Sequence, residues 1–200
     1  NHSRLRPGDI KYRDLNGDGR IDDYDKMPIG FCDIPEITYG FGGAVEWKGF
    51  DVSIFFQGTA RVSIFEEGST IVPFTSGYKN NNGFLKGVME DRWTIDNPNP
   101  NARYPRTIRP SDALDNNNTK KSSFWVRNAA FLRLKNAEIG YTFPKRWVEK
   151  MALQNLRLYV SGVNLLTWAP DVKLFDPELG SGDGRKYPPT RVFNVGLNIN

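Results

Sequence analysis

Runs of strict period-two alternation dominate this chain, and they limit it to folds that present one greasy and one wet side of a sheet. In "ITYGFGGAVEW" (37–47), Tyr39, Phe41, Val45 and Trp47 share one face. Thr38, Gly40, Gly42, Ala44 and Glu46 share the other, and successive side chains of a strand point to opposite sides. "FDVSIFFQGTARVSIF" (50–65) continues the pattern, with Phe50, Val52, Ile54 and Phe56 against Asp51, Ser53, Phe55 and Gln57. Lys48-Gly49 between the two runs predicts a tight hairpin turn. Further strands are expected at "FLRLKNAEIGYTF" (131–143), "NLRLYVSGVNLLTW" (155–168) and "RVFNVGLNI" (191–199). In the first of these, Leu132 and Leu134 fall out of phase with Ala137, Ile139, Tyr141 and Phe143, which predicts a bulge.

The connections sort by length. The short ones (48–49 and 144–155, the latter a helical turn beginning at Pro144) alternate with long ones (66–123 and 169–190). All the short connections therefore fall at one end of the strands and all the long ones at the other. Outer-membrane barrels segregate loops in this way, with short periplasmic turns and long extracellular loops. An ordinary antiparallel sheet with one solvated face is the competing architecture. Residues 66–123 are rich in Gly, Asn, Pro and Ser, and loops of that length usually carry function. A short helix is expected over 84–94 ("FLKGVMEDRWT").

Composition removes several function classes. No apolar run approaches the ~18 residues of a membrane-spanning helix. A mean hydropathy of -0.54 suits a soluble sheet and a barrel wall alike. The net charge of +4 comes from scattered residues, so nucleic-acid binding is not expected. One cysteine (Cys32) and one histidine (His2) leave no disulfide framework, no Cys or His metal centre and no Ser-His-Asp triad. Several carboxylates are present, but no spacing selects a catalytic pair, and no enzymatic activity is expected. The chain opens on a polar segment and stops while "RVFNVGLNIN" is still alternating, so a piece of a longer protein is expected.

Residues 1–36 read as a loop around one cation motif. Asp14, Asn16, Asp18, Arg20 (through its carbonyl), Asp22 and Asp25 follow the template of an oxygen-lined calcium loop, with Gly19 at the sharp turn. Asp25 stands where the template has the longer Glu. Ca²⁺ suits such a shell better than Mg²⁺, and a structural, loop-stiffening ion is the expected role. The same residues can instead form Asx turns with no ion.

Several blocks then carry a family resemblance. "PGDIKYRDLNGDGRID", "PEITYGFGGAVEWKGFDVSIFFQG", "DRWTIDNPNPNARYPR", "FLRLKNAEIGYTFP", "LRLYVSGVNLLTW" and "YPPTRVFNVGLNIN" resemble, in order, the C-terminal part of the SusC/RagA family of TonB-linked outer-membrane transporters. The resemblance implies an all-β fold: the last antiparallel strands of a large, 22-stranded transmembrane barrel. Residues 1–36 and 66–123 would then be extracellular, and the plug domain would lie outside these residues. It further implies an outer-membrane location, contact with outer-membrane lipid, and import of oligosaccharides or peptides. The partners would be a SusD-like surface lipoprotein and the TonB system. Within that picture Trp93, Tyr104 and Trp168 are candidate ligand-stacking aromatics, while Trp47 and Trp147 suit the periplasmic aromatic girdle. The alternative is a soluble, calcium-stabilised β-domain that binds glycans or mediates cell-surface interactions.

Overall fold

The structure, a computed structural model, describes residues 5–68, 71, 85–107, 117–151, 153–182 and 184–200. The chain divides into two compact units, one of Asn1–Asp33, Ser63–Arg127 and Gly180–Arg185, the other of Ile34–Val62, Asn128–Leu179 and Lys186–Asn200.

The second unit is built on a five-stranded antiparallel sheet. Its strands are β1 (Ile37–Trp47), β2 (Phe50–Ala60), β5 (Phe131–Thr142), β6 (Leu156–Trp168) and β7 (Val192–Ile199), in that spatial order. Each sheet neighbour is the next of these five along the chain, so the sheet is a meander. The β1–β2 turn has both central residues at positive φ, Lys48 at 48° and Gly49 at 90°. That is the backbone twist a two-residue hairpin favours. Tight helical turns at Lys145–Val148 (α2) and Glu149–Met151 join β5 to β6.

Register lines the apolar residues up in rows. Val45 opposes Val52, which opposes Ile139, then Val160, then Val195. A second row runs Trp47, Phe50, Tyr141, Leu158, Leu197. The first of these rows is 70%, 42%, 52%, 44% and 74% exposed in strand order. Among the described residues none seals this face, so the sheet is not closed around a core of its own. The expected out-of-phase step is present as a register shift between Leu134 and Asn136, matched by shifts in both neighbouring strands. Its effect is to return Leu134 to the face of Phe56 and Leu166, its cross-strand partners. Asn164, at φ 55°, absorbs the same irregularity in β6.

The opposite face is polar. Arg157 bridges Asp51 and Glu138 across β2, β5 and β6, and its guanidinium lies 5.0 Å from the Tyr159 ring. Higher on this face Arg133, 1% exposed, holds Asp176 and Glu178 of the β6–β7 loop, at 2.6 Å each. That loop is thus tied to the polar face by a buried, doubly paired cation.

Two expectations are corrected, and one short strand was not expected. Residues 50–65 are not one strand: Arg61, at φ 53°, breaks the run, and Ser63–Phe65 (β3) pairs with Val126–Asn128 (β4) in a separate two-stranded sheet. The sequence reading missed β4, which is only three residues long. The helix expected over 84–94 shrinks to Lys86–Glu90 (α1). Its continuation is lost because Tyr104 takes the next backbone groups: Trp93 N donates to Tyr104 O, and Tyr104 N donates to Asp91 O.

Candidate functional site

The first unit holds a buried charge cluster. Glu66 is 1% exposed. Its Oε2 accepts from Arg127 Nε at 2.8 Å and its Oε1 from Arg103 Nη2 at 3.2 Å. Burial of charge is tolerated when each group is paired and hydrogen-bonded in this way. Tyr104, 2% exposed, sets its hydroxyl 3.5 Å from Glu66 Oε2. Burial, and then the Glu66 charge, push that hydroxyl above the usual tyrosine range.

A second knot fastens the chain's first segment. Asp9 pairs with Arg106 at 2.6 Å and accepts from Asn118 Nδ2 at 2.8 Å. Buried Asn118 also accepts the Ile10 amide at 2.9 Å, and Asn117 Nδ2 donates to Ile10 O at 2.8 Å. Tyr12 OH donates to Asn117 O at 2.6 Å, and burial raises the Tyr12 pKa. Segments about a hundred residues apart are therefore joined by polar bonds.

Beside this knot lies a cavity of about 310 Å³, walled by Trp93, Phe124, Pro100, Pro105 and Ile10. Gly8, at φ 88°, forms part of the wall because a Cβ there would collide with the Trp93 ring.

The acidic motif folds on itself. Asp14 accepts from the Gly17 amide at 2.6 Å and the Gly19 amide at 2.8 Å. Asn16 accepts from Asp18 N at 3.0 Å, and Asp18 accepts from Arg20 N at 2.8 Å. Asp25 accepts from Leu15 N at 2.7 Å and Asp22 N at 2.9 Å, while Asp22 caps Tyr24 N at 2.9 Å. The amides of Asp22 and then Leu15 hold the Asp25 carboxyl below the usual range. The oxygen-only donor set suits a hard cation. As arranged, the side chains serve the loop's own amides. Among the described residues, no group of three or more His, Cys, Asp or Glu side chains is placed to hold a metal.

Of the three candidate aromatics, Trp93 and Tyr104 border the same cavity, while Trp168 belongs to the sheet. Trp93 lines the cavity. Tyr104 is buried at that cavity's edge with its hydroxyl turned to Glu66. Trp168 opposes Leu132 on the apolar face of the sheet, with its ring 6.4 Å from that of Phe56. That position suits an aromatic belt rather than a ligand contact. Trp47 and Trp147, 64% and 51% exposed, both sit by the short connections. Sequence reasoning missed the Glu66–Arg127–Arg103 cluster and the Asp9–Arg106–Asn118 knot. Their partners lie 37 to 109 positions apart, and no local pattern signals them.

No family model matches the sequence. Among curated relatives, the chain is 32% identical over 96% of its length to TonB-dependent receptor P26 of Formosa agariphila. It is 25% identical over 97% of its length to TonB-dependent receptor SusC of Bacteroides thetaiotaomicron. The chain spans only 19% and 18% of those two proteins. The fold is similar to part of the RagAB peptide transporter, with a TM-score of 0.63 and 22% identity over 90% of this chain and 19% of that one. The RagAB peptide importer in its closed-closed state gives 0.67 and 23%. An antiparallel sheet with an uncovered apolar face, matched across nearly its whole length to such receptors, is part of a transmembrane β-barrel wall, and the chain belongs to the SusC/RagA family of TonB-dependent receptors.

Proposed function

We propose that the chain is the C-terminal barrel segment of an outer-membrane, TonB-dependent importer of oligosaccharides or peptides that works with a SusD-like lipoprotein. The observation that carries this reading is the uncovered apolar face, bounded by aromatics at both strand ends. From Tyr39 to Trp47 the face extends about 27 Å at ~3.4 Å per residue. A strand tilt of about 40° reduces that to roughly 21 Å, close to the ~25 Å apolar band of such barrels. The soluble β-domain reading would have to leave this whole face in water.

In this reading the long connections, with residues 1–36 and 66–123, are extracellular and the Lys48-Gly49 turn is periplasmic. The sheet contributes wall, the polar face lines the lumen, and ligand capture falls to the loop unit. Import is non-covalent, with energy supplied through TonB by parts of the receptor beyond these residues. The acidic loop would hold a structural Ca²⁺ once Asp14, Asn16, Asp18, Asp22, Asp25 and the Arg20 carbonyl converge. Its spacing and the Gly19 turn (φ 78°) support that role.

Cys32, free and exposed, reports the orientation directly. The full-length receptor and its Cys32→Ser variant would be expressed in intact cells and treated with a membrane-impermeant maleimide. Labelling of the wild type alone, together with TonB-dependent uptake of an oligosaccharide or peptide, is the expected result. Cys32 labelling only after lysis would refute the topology, and uptake unchanged without TonB would refute the mechanism.

A further inference from the structure

We propose that the cavity beside Gly8 is a subsite for one apolar side chain of a peptide ligand. The inference rests on the importer reading above and narrows the ligand class taken by its loop unit. The cavity's rigid walls are rings: the Trp93 indole, the Phe124 phenyl, and Pro100 and Pro105, with Ile10 beside them. At about 310 Å³ it is at the small end of ligand pockets, which suits a single side chain better than an oligosaccharide.

The polar groups of the lining discriminate between the two ligand classes. Asp9 Oδ1 is taken by Asn118 and Arg106. Asp9 Oδ2 is taken by the Arg6 amide at 2.8 Å and Arg106 Nη2 at 3.0 Å. The Tyr104 hydroxyl is committed to Glu66 and Arg103, and Asn99 Oδ1 accepts the Asn101 amide at 2.9 Å. A sugar ring entering here would bury several hydroxyls against acceptors already in use, and an unpaired buried hydroxyl is costly. An aromatic or branched aliphatic side chain needs no such partner and gains contact with the rings. The cavity is also held open from behind. Gly8 lets Trp93 lie against the backbone, while Arg106 N donates to Gly8 O at 2.9 Å and fixes that backbone in turn.

The test uses the detergent-solubilised full-length receptor and ligand-observed saturation-transfer NMR. N-acetyl-phenylalanine amide is the probe, with N-acetyl-glycine amide and methyl glucoside as comparators. The wild type should bind the phenylalanine probe at least about tenfold more tightly than either comparator. Ala102→Phe, which fills the cavity, and Trp93→Ala, which removes a wall, should each weaken the probe by a similar factor. Heat-modifiable migration identifies variants that retain the barrel. Equal probe affinity in the wild type and in a folded variant would overturn the subsite, as would methyl glucoside binding as well as the probe. TonB-dependent uptake, measured separately, tests the importer reading. Selective probe binding without uptake would leave the subsite standing and remove the importer, whereas uptake with unselective binding would do the reverse.

Discussion

Arg127 and Glu66 form an ion pair inside the loop unit, Nε to Oε2 at 2.8 Å, with side-chain exposures of 10% and 0%. The pair joins the residue after β3 to the middle of β4, so it closes a loop of some sixty residues at its base. Removing Arg127 takes away the shorter of the two cation contacts of buried Glu66 and leaves Arg103, Nη2 to Oε1 at 3.2 Å. Arg127→Met should therefore destabilise this unit by about 1.5–3 kcal/mol, the worth of a hydrogen bond to a charged group, whereas the double change with Glu66→Leu should recover part of that loss. Hydrogen exchange of residues 63–68 and 124–127 in the full-length receptor measures it. Additive single losses would show that the two groups are not coupled.

The two faces of the sheet should answer oppositely to the same substitution. Val160 stands mid-row on the apolar face, and Ser161 is its neighbour on the polar face. Val160→Lys should cost about 1–3 kcal/mol for refolding into lipid vesicles, because the cation would sit inside the apolar band one row in from the Trp47 row. Ser161→Lys should change little, since it faces water beside Glu138, its cross-strand partner. Denaturant titration in vesicles separates them; equal costs would mean that the faces have been assigned wrongly.

Calcium should bind the acidic loop and depend on Asp14, whose two oxygens already organise the turn through Gly17 and Gly19. Calorimetric titration of the full-length receptor should show a heat with Ca²⁺ that Asp14→Ala abolishes. Indistinguishable heats would leave the motif as a self-bonded turn.

Acid should loosen the same loop in a defined direction. The folded pKa of Asp25 lies below its unfolded value, because its carboxylate accepts the Asp22 and Leu15 amides. Its contribution is then complete above the ordinary carboxyl range of about 4 and is lost as pH falls through the depressed value. Exchange of the Leu15 and Asp22 amides, corrected for intrinsic rate, should accelerate on that acid limb. Asp25→Asn should flatten the dependence. A loop whose protection does not change down to strongly acid pH would contradict this assignment.

What was legible in the sequence is what a residue and its near neighbours decide. The alternation of Tyr39, Phe41, Val45 and Trp47 marks a strand wherever it occurs, because period two and a one-sided apolar environment leave no other regular structure. β1 runs over Ile37–Trp47 as expected, and the Lys48-Gly49 turn and the bulge near Lys135 are equally local signals. The break at Arg61 was hidden because Val62 and Ile64 continue the apolar rhythm. They are instead buried, at 4% and 1%. The helix over 84–94 was overestimated because its far half is claimed by Tyr104, and nothing within that window announces it.

By itself, then, the sequence determined that these residues are strands with one apolar and one polar face, joined by connections that alternate in length. It also determined that oxygen ligands recur through the acidic loop. Only the tertiary structure decided that the apolar rows remain uncovered, that Glu66 meets Arg127, and that Gly8 and Trp93 form one side of a cavity. Periodicity is written into each stretch of chain. A buried ion pair or a cavity wall exists only when distant segments meet, and their meeting depends on how the whole loop unit satisfies its polar groups.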